Sequence, residues 1–189
     1  MDWSTQVRRT IEGMPKLPYS WTWQAKHGCS KNVYWKGQKI MTCGRPPQYY
    51  CCGFLLEVFI ETLKNFPCFE RITSTQIKAL MPYAYLYTDK EDYMLKALPG
   101  KLIELGWAEE ITNPKEVKYG DIAQIWWDKK ADKEAGHSVF ITGYDEPYMW
   151  TISASSKNNP IGVVTDYYRF DKPRRVWSIA RMKEDFIQS

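Results

Sequence analysis

The sequence predicts an α+β fold, and three observations predict it. Apolar residues recur at helical spacing in the first part of the chain, then give way from about residue 120 to short runs rich in β-branched and aromatic residues. Five such runs follow one another with short connections, which an antiparallel sheet accommodates without crossovers. No linker, internal repeat or low-complexity tract divides the 189 residues. A single domain over 1–189 is therefore expected, helical over about 1–115 and sheet-forming over about 116–189.

The elements follow in order. The first dozen residues pattern as a short helix that Gly13 and Pro15 end. Residues 16–50 read as loop, broken by Pro18, Gly28, Gly37, Gly44, Pro46 and Pro47, with Trp21, Trp23, Tyr34 and Trp35 interspersed. "CCGFLLEVFIETLKNF" then gives an amphipathic helix with Leu55, Val58, Phe59 and Leu63 on one face, closed by Pro67. Two more helices are expected: "STQIKALMPYAYLY", which Pro82 cuts or kinks, and "LPGKLIELGWAEEI". The strands are "GDIAQIWWD", "GHSVFITGYD", "YMWTISASS", "GVVTDYYRF" and "RVWSIARM". Between the first two, "DKKADKEAG" reads as a solvated turn, and Arg174–Arg175 as a surface pair.

Composition narrows the function. The net charge is +4, with Lys and Arg scattered rather than massed, which argues against a nucleic-acid footprint while favouring approach to an anionic polymer. No apolar run has membrane-spanning length, so no membrane span is expected. The start, "MDWSTQVRRTIEGMPKLPYSW", lacks the features of a secretory signal. The expectation is a protein that stays in the cytoplasm, leaves by another route, is phage-associated, or has been trimmed to its mature form. Aromatic residues make up 15% of the chain, enough to fill a core and still line a groove for sugars or peptides.

Five cysteines (Cys29, Cys43, Cys51, Cys52, Cys68) are an odd number in a chain too large to need a disulfide frame. Their spacing matches no standard zinc pattern; His27 with Cys29 and Cys43 is the weak metal alternative, and no metal or cofactor is expected. Cys51 and Cys52 stand at a helix start, where the partial positive charge of the N-terminus favours a thiolate. Gly53 removes a side chain beside them, as close approach of a substrate backbone would require. Of two histidines, His137 is the better base, because it opens a strand directly after Gly136 whereas His27 lies in the loop-rich segment.

Four segments carry a resemblance. "YCCGFLLEVF" resembles the Cys-(Ser or Cys)-Gly-Phe start of the central helix of the NlpC-type papain-like cysteine peptidases and amidases, a superfamily that includes the CHAP amidases. "YGDIAQIWW" is similar to their Gly-Asp strand, "GHSVFITGYD" to their Gly-His strand and "RVWSIARM" to their last strand with its Arg. The order is the family's, over about residues 33–182.

The resemblance implies a papain-like fold in which the central cysteine helix packs on a five-stranded antiparallel sheet, with a helical insertion between helix and sheet. Cys51 matches the nucleophile and His137 the general base. Ser153 falls at the third position, where the family usually has His, Asn, Gln or an acid; Ser155 and Asn158 are the alternatives. Tyr34 matches the family's upstream tyrosine, and Gln48 is a second oxyanion donor beside the Cys51 N–H. The implied activity is a cysteine peptidase or amidase acting on peptidoglycan or a peptide at the bacterial cell wall. A cognate protein inhibitor is implied if the protein is an exported toxin. Acyl transfer on the same scaffold and a catalytically weak wall- or protein-binding module are the competing expectations.

Overall fold

The computed structural model describes residues 2–20, 22–85, 91–127, 136–158, 162–172 and 176–189. Helix α1 (Trp3–Glu12) is capped by Asp2, whose carboxylate accepts from the Thr5 N–H, and ends at Gly13. The segment expected to be loop contains a hairpin, β1 (Val33–Trp35) and β2 (Gln38–Met41). It turns on Lys36 and Gly37, both at positive φ, the conformation a two-residue turn demands. Strands of three and four residues are too short to announce themselves by alternation.

Helix α2 (Cys51–Leu63) is not amphipathic as expected: every residue except Glu61 is buried. The reason is tertiary, because three different parts of the chain enclose it. Helix α1 packs on one side, with Trp3 edge-on to Phe59 at 6.0 Å. The sheet covers a second side, and the loop around residues 27–30 a third. Helix α3 (Ser74–Lys78) opens with a Thr73–Gln76 capping box. Helix α4 (Met81–Tyr85) carries Pro82 in its first turn, where no backbone donor is needed, so the proline separates two short helices rather than kinking one.

Helix α5 (Glu91–Glu104) is interrupted at Ala97, which has φ 46°. The expected continuation of this helix to residue 111 does not occur. Gly106 at φ 73° turns the chain, and residues 108–110 become strand β3 (Ala108–Glu110). The remaining strands are β4 (Ile122–Trp126), β5 (Gly136–Asp145), β6 (Tyr148–Ala154), β7 (Val163–Arg169) and β8 (Val176–Met182), followed by α6 (Glu184–Gln188).

All five expected strands form, but the sheet has six, in the order β3-β8-β4-β5-β6-β7 with every pairing antiparallel. The chain is thus α+β. Alternation sorts the sheet residues into two sets. Ile122, Phe140, Ala154 and Ala180 join the core around α2, whereas Ala123, Ile125, Val139, Ile141 and Ile179 form a second cluster partly covered by Trp127, Phe170 and Trp177. Among the described residues no helix is long and apolar enough to cross a membrane. The turn expected at 128–135, the Arg174–Arg175 pair and the end of "PYAYLY" lie outside the described residues.

Candidate active site

The start of α2 is held by the loop that packs on it. A Cβ at Gly53 would lie 2.0 Å from the His27 carbonyl oxygen and 2.3 Å from that of Gly28. The missing side chain therefore admits this chain's own backbone, not the substrate backbone that the sequence led us to expect. Tyr50 lays its ring on Gly28 and donates its hydroxyl to the Lys26 carbonyl at 2.6 Å. Tyr85 donates to the His27 carbonyl at 2.8 Å, and the buried Glu57 accepts from the Ser30 N–H and hydroxyl at 2.7 and 2.5 Å. These contacts fix the first turn of α2 against a rigid wall. Tyr50 itself, at the N-cap, makes no side-chain hydrogen bond to that turn.

Cys51 is 8% exposed and His137 9%, so both are nearly withdrawn from water while still touching it. The Cys51 thiol is held well below its ordinary value. The largest cause is its hydrogen bond with the Cys52 thiol; the hydrogen bond and charge of His137 and the Ser138 N–H add to it, and burial opposes it. Cys52 moves the other way, well above its ordinary value, because burial and the neighbouring Cys51 sulfur keep its proton on. The imidazole reaches only one of the two thiols. Of the two, Cys51 is the thiol whose surroundings favour ionisation.

The other side of the imidazole meets Ser153. The His137 Nε2 and the Ser153 Oγ are 2.8 Å apart, and Ser153 is fully buried. With Nε2 so engaged, Nδ1 is the nitrogen left for Cys51. Trp127 lies nearly parallel to the imidazole at 6.4 Å and Tyr168 edge-on at 6.1 Å, so rings border it on two sides. Gly136 precedes His137 because a Cβ there would strike the Gln124 amide and the Trp126 ring. Ser155 and Asn158, the alternatives for the third position, sit elsewhere: the Ser155 hydroxyl accepts from the Lys157 N–H at 3.3 Å, and Asn158 ends a short turn.

The two motif residues at the far end of the sheet find each other. Arg181 donates to both oxygens of the 1%-exposed Asp121 carboxylate at 3.0 and 2.8 Å, tying β8 to the start of β4. Their part is structural.

The candidate oxyanion residues divide. Tyr34 is 46% exposed on β1, on the side opposite Val33 and Trp35, and no hydrogen bond in the structure ties it to Cys51 or His137. Gln48 is half-buried, and its Oε1 has no hydrogen-bond partner among the described residues. The tyrosine the sequence did not single out is Tyr19, bridged in parallel to Tyr49 two residues before the helix. Its hydroxyl is pushed up to about 12 by burial, then by the Cys51 sulfur and the Cys52 sulfur, which places it within electrostatic reach of both thiols. Nothing in its spacing distinguishes it from the chain's other tyrosines.

The remaining cysteines stay outside the site. All five are free thiols. Cys68 is fully buried and pushed up to about 11 by burial. Cys43 donates to the Cys29 carbonyl at 3.1 Å, and the His27 Nδ1 accepts from the Thr42 N–H at 2.7 Å. Among the described residues no group of three His, Cys, Asp or Glu side chains could hold a metal ion.

Comparison with known proteins found no matching family model, no matching curated protein and no matching solved structure. What the arrangement can do chemically therefore rests on its own geometry: a thiol at a helix N-terminus held below its ordinary value, an imidazole acting on it, and a hydroxyl 2.8 Å from the other ring nitrogen.

Proposed function

We propose that this protein is a cysteine amidase or peptidase with a papain-like, NlpC-type fold, whose substrate is bacterial peptidoglycan. The observation that carries the reading is the chain of contacts from Cys51 through His137 to Ser153, drawn from one helix and two strands. Cys51 attacks the amide carbonyl as thiolate, with its proton resting on Nδ1 of His137. The tetrahedral oxyanion meets backbone N–H groups at the start of α2, with Tyr19 and Gln48 as further donors. His137 returns the proton to the leaving amine, the C–N bond breaks, and a thioester remains. Water, deprotonated by His137, then releases the acid and restores the thiol. Peptidoglycan as substrate draws on the four-segment resemblance and on the +4 charge, which suits an anionic wall polymer. On this reading the protein acts at the cell wall, and a proteinaceous inhibitor would block it by filling the cleft.

The test is a digest of purified peptidoglycan by the wild type and by Cys51→Ala, read by mass spectrometry. New fragments from the wild type alone are expected, and their masses name the bond. Equal release by both proteins would remove Cys51 from the role of nucleophile, and no release by either would remove peptidoglycan as substrate.

One observation favours a second reading. A thiol only 8% exposed and an imidazole bordered by Trp127 and Tyr168 limit access of water to the thioester. Acyl transfer to an amine would then compete with hydrolysis. Adding a small primary amine to the digest distinguishes the two, since a transferase yields the amide adduct as its main product and a hydrolase the free acid.

A further inference from the structure

One charged pair beside the imidazole takes no part in the steps that break the amide. Strand β7 lies against β6 with Val164 opposite Ser153, Asp166 opposite Thr151 and Tyr168 opposite Met149. Opposite residues of an antiparallel pair point to the same face, so the Asp166 carboxylate and the Tyr168 ring stand on the face that carries Ser153. Tyr168 borders the His137 ring at 6.1 Å and Trp127 at 5.2 Å. Lys157 reaches this wall from the turn that follows β6. Its ammonium lies 5.1 Å from the centre of the Tyr168 ring and pairs with Asp166. One ring therefore separates a cation from the imidazole.

The pair is polarised. The Lys157 side chain is 57% exposed and that of Asp166 only 14%, so the positive end faces solvent and the negative end is withdrawn. Both ends are held. The Asp166 carboxylate also accepts from the Tyr167 N–H at 2.9 Å, and the Lys157 N–H donates to the Ser155 hydroxyl at 3.3 Å. An ammonium carries three donors, and the exposure of this one leaves room for a second anion beside Asp166. An exposed ion pair contributes little to stability. What this one does contribute is a fixed positive charge at the edge of an aromatic wall that ends on the catalytic base.

We propose that Lys157 is a specificity-determining residue of this site: its ammonium takes a free carboxylate of the substrate peptide, close to the amide that is cut. The inference rests on the reading of the protein as a peptidoglycan amidase or peptidase, and it names the chemistry that flanks the reacting bond. Tyr168 and Trp127 give the peptide an apolar bed beside the imidazole, and the cation at the edge of that bed selects which peptides settle there. Asp166 steadies the ammonium from behind and leaves its outer side to the substrate. A peptide whose carboxylate is amidated meets the same bed without the charge. No bond changes at Lys157; it binds, and the chemistry stays with Cys51 and His137.

The test compares two forms of one substrate. Soluble fragments of purified peptidoglycan are digested as prepared and after carbodiimide coupling to ammonia, which turns their free carboxylates into carboxamides. The wild type, Lys157→Gln and Lys157→Arg are assayed on both. The wild type should cut the amidated form about threefold to tenfold less efficiently, the range expected of a half-exposed charge-assisted hydrogen bond. Lys157→Gln should lose a similar factor on the untreated form, in KM rather than kcat, and lose almost nothing on the amidated one. Lys157→Arg, which keeps the charge, should keep the wild-type preference. Equal rates of the wild type on the two forms, or a Lys157→Gln protein that retains the wild-type preference, overturn the proposal while leaving the amidase reading in place. Cleavage of neither form by the wild type overturns both.

Discussion

The two sides of the His137 ring are served unequally. Toward Cys51 the Cys52 thiol and the Ser138 N–H join the imidazole in holding one thiol below its ordinary value. On the far side, among the described residues, Nε2 has the Ser153 hydroxyl alone, at 2.8 Å in a fully buried position. A carboxylate there would stabilise the imidazolium by charge, whereas a hydroxyl only orients the ring. On the proposed reading, the thiolate–imidazolium pair is stabilised from the sulfur's end. The difference also orders the substitutions by which the comparison can be broken.

The largest effect is expected at the ring itself. His137→Ala should lower kcat/KM on the released bond by about 10²–10⁴-fold, the usual worth of a positioned acid–base group. The same variant should lose part of the low-pH reactivity of Cys51, because the imidazole is one of the causes that hold the thiol down. The sign also follows for stability. A thiol whose folded value lies below its unfolded one contributes stability that is complete above the unfolded value and is lost as pH falls through the folded one. A His137→Ala protein with wild-type turnover would show that the base is some other group.

Ser153→Ala comes next and is expected to cost less, about threefold to tenfold in kcat, because the hydroxyl orients without adding charge. Its clearer signature should be in stability. It leaves a buried ring nitrogen without its partner, a loss of about 1–3 kcal/mol in denaturant unfolding. A drop in activity as large as that of His137→Ala would mean that the far side of the ring matters as much as the near side, and the asymmetry argued above would be wrong.

The same asymmetry bears on what could be read from sequence. Strands β4 to β8 were legible because each is a run of five or more residues rich in apolar, aromatic or β-branched side chains, bounded by turn formers. His137 and Ser153 inherit their positions from that regular frame. Strand β3 was not legible: its three residues are a strand only because β8, some seventy positions later, pairs Ala108 with Met182. Gly53 could be seen as special but not explained, since the carbonyls it accommodates belong to residues 27 and 28. The burial of α2 on all sides was hidden for a related reason. Glu57, which marks a polar face in the sequence, is satisfied in the core by hydrogen bonds from the N–H and hydroxyl of Ser30 in a distant loop. Local periodicity reaches the elements; what reaches the thiol from other parts of the chain is decided by packing.

Tyr19 and Tyr34 put that distinction to its finest test, with the smallest effect. Position relative to the cysteine pointed to Tyr34, yet Tyr34 faces solvent from a hairpin, while Tyr19 is brought to the thiols by its bridge to Tyr49. A phenol that stays protonated across the working pH can donate to a developing oxyanion, and both burial and the nearby sulfurs keep Tyr19 protonated, with its value pushed up to about 12. Tyr19→Phe should therefore lower kcat by about twofold to tenfold at nearly unchanged KM, since the donor acts on charge that appears only in the transition state. Tyr34→Phe should change neither constant. Paired kinetics of the two variants on one purified peptidoglycan preparation decide the matter. If Tyr34→Phe proves to be the slower variant, the hairpin must fold over the thiol when substrate binds, and the donor is supplied from outside the preassembled site.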